Sequence, residues 1–488
     1  MTGEFADREE PQMRAPRARH WAGIVVTGVV CAMLGPASQP ASAETASAEA
    51  TVARVAATPA GPRPRLTDSR PCAGIAGFTC SYLTVPRDRT GHTPGTLRLP
   101  VAVADNTAAP RGTLLMLSGG PGQPGVGLVP RIRQRVSYLL NDYRMVMIDQ
   151  RGTGEGAIDC ERLQAEVGSS DITPPSREAV RECARQLGQG RHHYTTADTV
   201  ADLEDLRQAL DVSRWTIDGV SYGTFVAQHY ALTFPGRVSR MVLDSVVPLD
   251  IDPLYVAGLR RTGWMLRQAC QEQNCGFDPA AALAGVVRRY DNGVGVFDLI
   301  VIASIVDPKL TGEGYFPVLP LLRLAAQGEP EPLNQAIAAL QGGQDTPPAE
   351  YSAGLHVATL CADLVHAPWG NSMAPLWQRD AAVAEARRNL SARQVWPFEP
   401  QTAVGNGIVQ ACRYWPPARA NPQPPRHRLT MPVLLINGDR DLSTPLEWAV
   451  ERAAQMPRGE LVIIPGMGHS IQGRNAAGDQ AVQHFLLH

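Results

Sequence analysis

The stretch WTIDGVSYGTFVAQHY, Trp215 to Tyr230, opens with β-favouring residues and closes with helical spacing, and Ser221 stands between two glycines where the patterns meet. Gly219-Val220-Ser221-Tyr222-Gly223 fits G-x-S-x-G in the setting that gives the pattern meaning, a predicted strand followed by a predicted helix. Glycines tolerate the tight turn this demands. A serine held there projects from the carboxyl end of the strand, and the N–H of Tyr222 at the helix start points to where an oxyanion would form. A serine can also occupy such a place merely to cap a helix, so the reading turns on partners elsewhere in the chain.

A serine hydroxyl is a weak nucleophile unless a base takes its proton, and the base needs an acid to fix its tautomer. Downstream, MPVLLINGDRDLSTP sets Asp439 and Asp441 just past an apolar strand, and LVIIPGMGHS sets His469 in a glycine-flanked loop past the next one. The order Ser, Asp, His is that of the α/β-hydrolase arrangement. An aspartate beside Gly438 is also a common turn former, and the residues alone leave both aspartates open. Earlier, LSGGPGQPG, Leu117 to Gly125, follows a strand with a glycine loop able to aim backbone N–H groups inward. Gly120 is the expected oxyanion donor beside Tyr222, with Gly119 next. The loop lacks the G-K-[ST] ending of a phosphate-binding loop.

Working outward, GTLLMLSGG, YRMVMIDQRG, SRMVLDSVV, MPVLLINGD and GELVIIPGMGH are short, nearly continuous apolar runs, which suits a parallel sheet covered on both faces. Thr96 to Ala104 instead alternates Leu97, Leu99, Val101 and Val103, predicting a strand with one buried side. ADTVADLEDLRQALD repeats Val200, Leu203, Leu206 and Leu210 at helical spacing. Strand, helix and strand in alternation predict an α/β fold, a mostly parallel sheet with helices on both faces. The region 248–425, richer in helical spacing, Pro and Trp, breaks that rhythm. It is expected to be an inserted, mainly helical cap domain over the site, leaving a core in two parts, 71–247 and 426–488.

The chain has 488 residues, is 44% hydrophobic and carries a formal charge of -2. That is enough to bury a large core and a second unit, with no electrostatic reason to expect nucleic acid. Arg14, Arg17 and Arg19 precede an apolar run from Trp21 to Leu34, and Ala41-Ser42-Ala43 fits signal peptidase. Residues 1–43 therefore read as a secretory signal cleaved after Ala43, with translation starting at Met1 or Met13. The apolar run is too short to span a bilayer comfortably and lacks a lipobox, so no stable membrane anchor is expected. Residues 44–70 read as a flexible linker. Cys31 leaves with the signal, and the remaining cysteines form an even set that implies disulfides in an exported protein. Sequence neighbours would pair Cys72 with Cys80, Cys160 with Cys183, Cys270 with Cys275 and Cys361 with Cys412, other connectivities remaining open. No Cys/His spacing resembles a zinc site, so no metal is expected, and no cofactor either.

Taken together, GGPGQPG, MIDQRGTGEGAIDC, GVSYGTFVAQHYALTFPGRVSRMVLDSVV, CAD at Cys361 to Asp363, CRYWP at Cys412 to Pro416, GDRDLSTP and GMGH carry a resemblance. From Cys72 onward the chain resembles the α/β-hydrolase serine peptidases of the proline iminopeptidase and secreted tripeptidyl aminopeptidase kind. The resemblance implies Ser221 as nucleophile, Asp441 as acid (in G-x-x-D-x-x-T-P) and His469 as base. It implies that Asp149 and Arg151 organise the loop under the site and that Cys361 meets Cys412 across the cap. Ser118 stands where iminopeptidases show His, and Gln123 replaces a glycine of the secreted relatives. The implied activity is that of a secreted exopeptidase releasing short peptides or single residues from free N-termini. A secreted carboxylesterase with the same triad, acting on a small ester, is the alternative, and oligomeric state is not indicated. An exopeptidase of this kind must bind an α-ammonium, and Asp363, beside Cys361, is the candidate substrate-binding anchor. Capping a helix or meeting an arginine would be its other role.

Overall fold

The apolar runs assemble into one sheet of 9 strands in the order β1-β2-β3-β5-β4-β6-β7-β8-β9. The computed structural model describes residues 63–343, 346–418, 421, 422, 424 and 428–488. Strands β1 (Leu66–Pro71), β2 (Phe78–Pro86) and β3 (Thr96–Ala104) are antiparallel neighbours. Strands β4 (Thr113–Leu117), β5 (Arg144–Ile148), β6 (Trp215–Val220), β7 (Val238–Asp244), β8 (Val433–Gly438) and β9 (Gly459–Ile464) are mutually parallel. The registers Leu117↔Gly219, Val220↔Asp244 and Gly438↔Ile464 bring the carboxyl ends of β4, β6, β7, β8 and β9 to one edge. Open parallel sheets bind their ligands at that edge.

Near-continuous apolar strands need cover on both faces, and the helices supply it. Leu115, Ile217, Leu243 and Leu435 pack with Leu203, Leu206 and Phe225 on one side. Leu114, Met116, Val242 and Ile436 pack with Ile132, Val136 and Val482 on the other. The helix read from Val200, Leu203 and Leu206 spans Thr196–Ala209 and starts with a capping box between Thr195 and Asp198. β3 differs from its predicted one-sided burial. Leu99, Val101 and Val103 face one core while Ala102 and Ala104 face the other, because the small alanines also carry helix-facing packing. β1 and β2 carry no apolar run of the kind used to find the other strands, β1 being almost wholly exposed.

The expected linker at 44–70 needs correction at its end. Leu66–Pro71 pairs with β2, its backbone ordered by the ladder and not by side-chain burial, and the ordered core thus begins before residue 71. The signal segment and residues 44–62 lie outside the described residues. Between β7 and β8, which are adjacent in the sheet, the described residues form helices and no strand. The expected end of this insertion, near 425, also falls outside the described residues. No helix among the described residues is long and apolar enough to cross a membrane.

Four disulfides join Cys72 to Cys80, Cys160 to Cys183, Cys270 to Cys275 and Cys361 to Cys412, with Cα–Cα distances of 4.9, 5.2, 5.1 and 5.0 Å. The last ties the Ala353–Asp363 helix to the Gly407–Tyr414 helix. It closes the longest loop, so its loss removes the most chain restraint, about 4 kcal/mol in the loop-entropy picture. Non-reducing peptide mapping should recover all four pairs, and Cys361→Ser should lower the unfolding midpoint more than Cys270→Ser.

Candidate active site

Ser221 follows the last residue of β6 and precedes the Tyr222–Thr233 helix with φ 80° and ψ −120°. Its side chain makes no capping hydrogen bond, so a helix-capping role does not account for it. A non-glycine residue held in this region is strained and persists only where its surroundings enforce it. Here they do. The Ser221 N–H donates to the Asp244 carbonyl at 3.0 Å, and the Ser221 carbonyl accepts the Thr224 N–H at 2.8 Å and hydroxyl at 2.6 Å. Both motif glycines are required by contact: a Cβ on Gly219 would lie 2.5 Å from the Gly223 carbonyl oxygen, and one on Gly223 would lie 2.4 Å from that of Leu117.

His469 sits in the loop after β9, and its Nδ1 lies 2.8 Å from Asp441 Oδ2. Asp441 is fully buried and also accepts the Thr444 N–H at 2.9 Å and hydroxyl at 2.6 Å. With Nδ1 engaged, Nε2 is the ring nitrogen left for a proton from a neighbour. Burial works against the His469 cation. The charge and hydrogen bond of Asp441, followed by the charges of Asp244 and Asp171, outweigh it and raise the pKa above 6.5. Asp439 meets neither partner: its carboxylate accepts the Gly466 N–H at 2.7 Å and its carbonyl accepts Arg261 Nε at 2.7 Å, as a turn residue does. His469, Ser221, Gly119 and Gly120 line one cavity of about 290 Å³.

The glycine loop lies against the serine. A Cβ on Gly119 would approach Ser221 Cβ to 3.1 Å, and Gly120 has φ 108°, which favours glycine. Ser118 Oγ closes the loop on the Gln123 carbonyl at 3.0 Å, and the Ser352 N–H ties Gly122 to the insertion at 3.0 Å. Asp149 Oδ1 accepts the Val126 N–H at 2.7 Å, while burial pushes its pKa up to about 6. Arg151 grips Asp202 through Nε at 2.7 Å and Nη2 at 2.6 Å, fixing the neighbouring loop to the Thr196–Ala209 helix. Tyr222 is the first residue of its helix, so its N–H has no intrahelical partner.

Asp363 does not join them. It ends the Ala353–Asp363 helix, is buried, accepts the Thr196 hydroxyl at 2.6 Å and lies outside the cavity lining. The same Thr196 hydroxyl is 2.6 Å from Tyr222 Oη, so Asp363 supports the residue after the serine from behind. Burial moves its pKa up to about 7, a poor setting for an exposed ammonium anchor. In sequence, CAD looks the same whether its aspartate faces a cavity or a packed helix.

Of the acids that line the cavity, Asp171 and Asp298 were not singled out in the sequence. Asp171 lies 2.9 Å from His356 Nε2 and accepts the Tyr255 hydroxyl at 3.3 Å. His356 Nδ1 is 2.9 Å from the Pro121 carbonyl, linking this carboxylate to the glycine loop. Asp298 accepts the hydroxyls of Ser170 and Thr173 at 2.9 and 2.6 Å. As the only charge in the apolar helix Gly293–Val306, it was the one of the two with a readable signal. Asp218 accepts Gln472 Nε2 at 2.9 Å, and burial pushes its pKa up to about 8.

Residues 112–294 match the alpha/beta hydrolase fold family and residues 397–488 match a family described as TAP-like protein. The chain is 28% identical over 458 residues to a tripeptidyl aminopeptidase of Streptomyces coelicolor, covering 84% of this chain and 80% of that one. It is 25% identical over 470 residues to the serine protease Hip1 of Mycobacterium tuberculosis, covering 84% of each. A probable proline iminopeptidase of Streptomyces coelicolor is 32% identical over 132 residues, 27% of this chain and 32% of the other.

Two measurements check this geometry. Gly223→Ala should lower stability by about 1–3 kcal/mol, the usual cost of forcing atoms into a filled space, because the Leu117 carbonyl cannot retreat from its strand. Asp441→Asn should lower the His469 pKa followed by NMR, whereas Asp439→Asn should leave that titration nearly unchanged.

Proposed function

From the α/β-hydrolase fold and the match of residues 397–488 to a TAP-like family, we propose that the chain is a secreted serine exopeptidase. It releases short peptides or single residues from free N-termini through an acyl-enzyme. The observation that carries the chemistry is the 2.8 Å Asp441–His469 contact in the cavity that Ser221 also lines. The peptide preference is supported by relatives named as aminopeptidases and as a serine protease. Export is supported by the basic and apolar N-terminal pattern and the paired cysteines.

In the proposed reaction Ser221 Oγ attacks the scissile carbonyl carbon while His469 Nε2 takes its proton. Asp441 holds the imidazole in the required tautomer and balances its positive charge. The N–H groups of Tyr222 and Gly120 face the developing oxyanion, worth several kcal/mol in comparable sites, about 3–4 for one donor. The imidazolium then protonates the departing amine, and the same base activates water to release the acyl group. With Asp363 outside the cavity, the α-ammonium falls to Asp171, whose carboxylate is oriented by His356 and Tyr255.

Ser221→Ala should fold normally and lose several orders of magnitude in kcat/KM, about 10⁴ or more where the nucleophile is the base's partner. A panel of aminoacyl, tripeptidyl and acyl-ester chromogenic substrates should show cleavage of substrates with a free N-terminus and little after acetylation. A preference for acyl esters would replace this reading with the esterase.

The pH profile follows from His469. The base must be neutral, and its pKa is raised, so kcat/KM should climb with pH and level off only above a midpoint higher than 6.5. A midpoint below the ordinary imidazole value would remove His469 as the base.

A further inference from the structure

The cavity around Ser221 is lined by charges of both signs. Asp171, Asp218, Asp244 and Asp298 share it with Arg131, Arg135 and Arg474. Arg131 and Arg135 stand four residues apart on the Val129–Arg135 helix, a spacing at which like charges repel. Arg135 Nη1 donates to Ser470 Oγ at 3.1 Å, next to His469. Arg474 donates to the His469 carbonyl at 2.6 Å and to the Ile305 carbonyl at 2.5 Å. The Arg131 side chain is exposed and has no hydrogen bond or ion pair among the described residues. None of these guanidinium groups has a carboxylate within ion-pair distance among the described residues.

Nearby acids do not make up the difference. The Asp244 carboxylate is taken by the N–H groups of Ile471 and Gln472 at 2.9 and 3.0 Å and by the Ser245 hydroxyl at 3.1 Å. Asp218 is bound to Gln472 and largely neutral near pH 7, since its pKa is raised to about 8. Mutual repulsion by Arg131 and Arg474 adds to burial in weakening the hold of Arg135 on its proton. Packing also spends chain freedom on holding this cation: Gly473 has φ 70°, and a Cβ there would strike Arg135 Cγ at 2.4 Å. A cation held this firmly beside two others, in a cavity, calls for an anion from outside the chain.

We propose that Arg131, Arg135 and Arg474 form a carboxylate subsite of the catalytic cavity, so that the enzyme prefers peptides bearing a carboxylate close to the bond it cleaves. This rests on the peptidase reading for the choice of carboxylate among anions. Guanidinium pairs suit that group because their N–H fork matches its two oxygens. The carboxylate is either the C-terminus of a short peptide or an acidic side chain in the segment that leaves.

The test compares peptides identical up to their C-terminal group, free acid against amide, with wild type and with Arg131→Gln and Arg131→Gln/Arg135→Gln. Wild type should favour the acid by about tenfold in kcat/KM, the size of one charge-assisted contact. The acid-to-amide ratio should fall toward one in the double variant and in high salt. An amidated peptide with Asp or Glu after the scissile bond separates the two sources of the carboxylate. Arg131→Gln changes an exposed side chain, and thermal unfolding of both variants guards against reading misfolding as lost preference. A wild-type ratio near one, or a preference that survives in the double variant, would overturn the subsite while leaving the peptidase reading intact. If peptides are not cleaved at all, the peptidase reading fails instead. The acetate esters of 4-hydroxybenzoate and 4-hydroxybenzamide then give the same acid-to-amide comparison, with the same deciding outcomes.

Discussion

The constraint on which the candidate site depends is the pressure of one turn against the end of a strand. Gly223 places its helix so near β4 that even a methyl group would strike the carbonyls of Leu117 and Ser118, at 2.4 and 2.8 Å. Nothing but a pair of glycines lets β6 turn so sharply into a helix at that distance. Because the helix cannot move back, Ser221 takes its positive φ and the glycine loop after β4 lies directly beside it. The turn at Ser221 and the placement of the glycine loop are thus two consequences of one close approach.

The same constraint reaches the histidine through Asp244. Its carbonyl takes the Ser221 N–H, and its carboxylate takes the N–H groups of Ile471 and Gln472, just past His469. Ser245 adds a hydroxyl that accepts the Ser470 N–H at 2.7 Å. Asp244 is buried, and the cost of hiding a carboxylate is offset by these donors. Asp244, which has no part in the proposed chemistry, therefore ties together the two segments that carry Ser221 and His469. Sites built on strand ends in this manner hold their geometry better than sites on loops alone.

How much of this could be read from the chain depends on how local its cause is. The turn at Ser221 was legible because its requirement, two glycines between a strand and a helix, lies within five residues of sequence. Asp441 was separable from Asp439 by resemblance alone, since both follow the same strand and only the fold shows which one Thr444 and His469 share. The surroundings of Asp363 were not legible because its neighbour Thr196 is far away in sequence. The edge strand β1 was missed because it buries almost nothing, so periodicity had no signal to offer. Arg131 and Arg135 carry no pattern that marks them in the sequence, and only the cavity distinguishes them.

Around the cavity the insertion is also fastened to the core by polar bonds. Asp298 holds Ser170 and Thr173, the Ser352 N–H holds Gly122, His356 stands between Asp171 and Pro121, and Arg474 holds the end of the Gly293–Val306 helix at Ile305. Arg474 at that carboxyl end also meets the favourable pole of the helix dipole. Apolar contacts alone would tolerate sliding between the two layers, because they have no direction. Hydrogen bonds to Gly122 and Pro121 do have direction, and those residues flank the proposed oxyanion donor. A shift of the insertion would therefore move the glycine loop with it, so the helices beside the cavity and the proposed oxyanion donor are positioned by the same bonds.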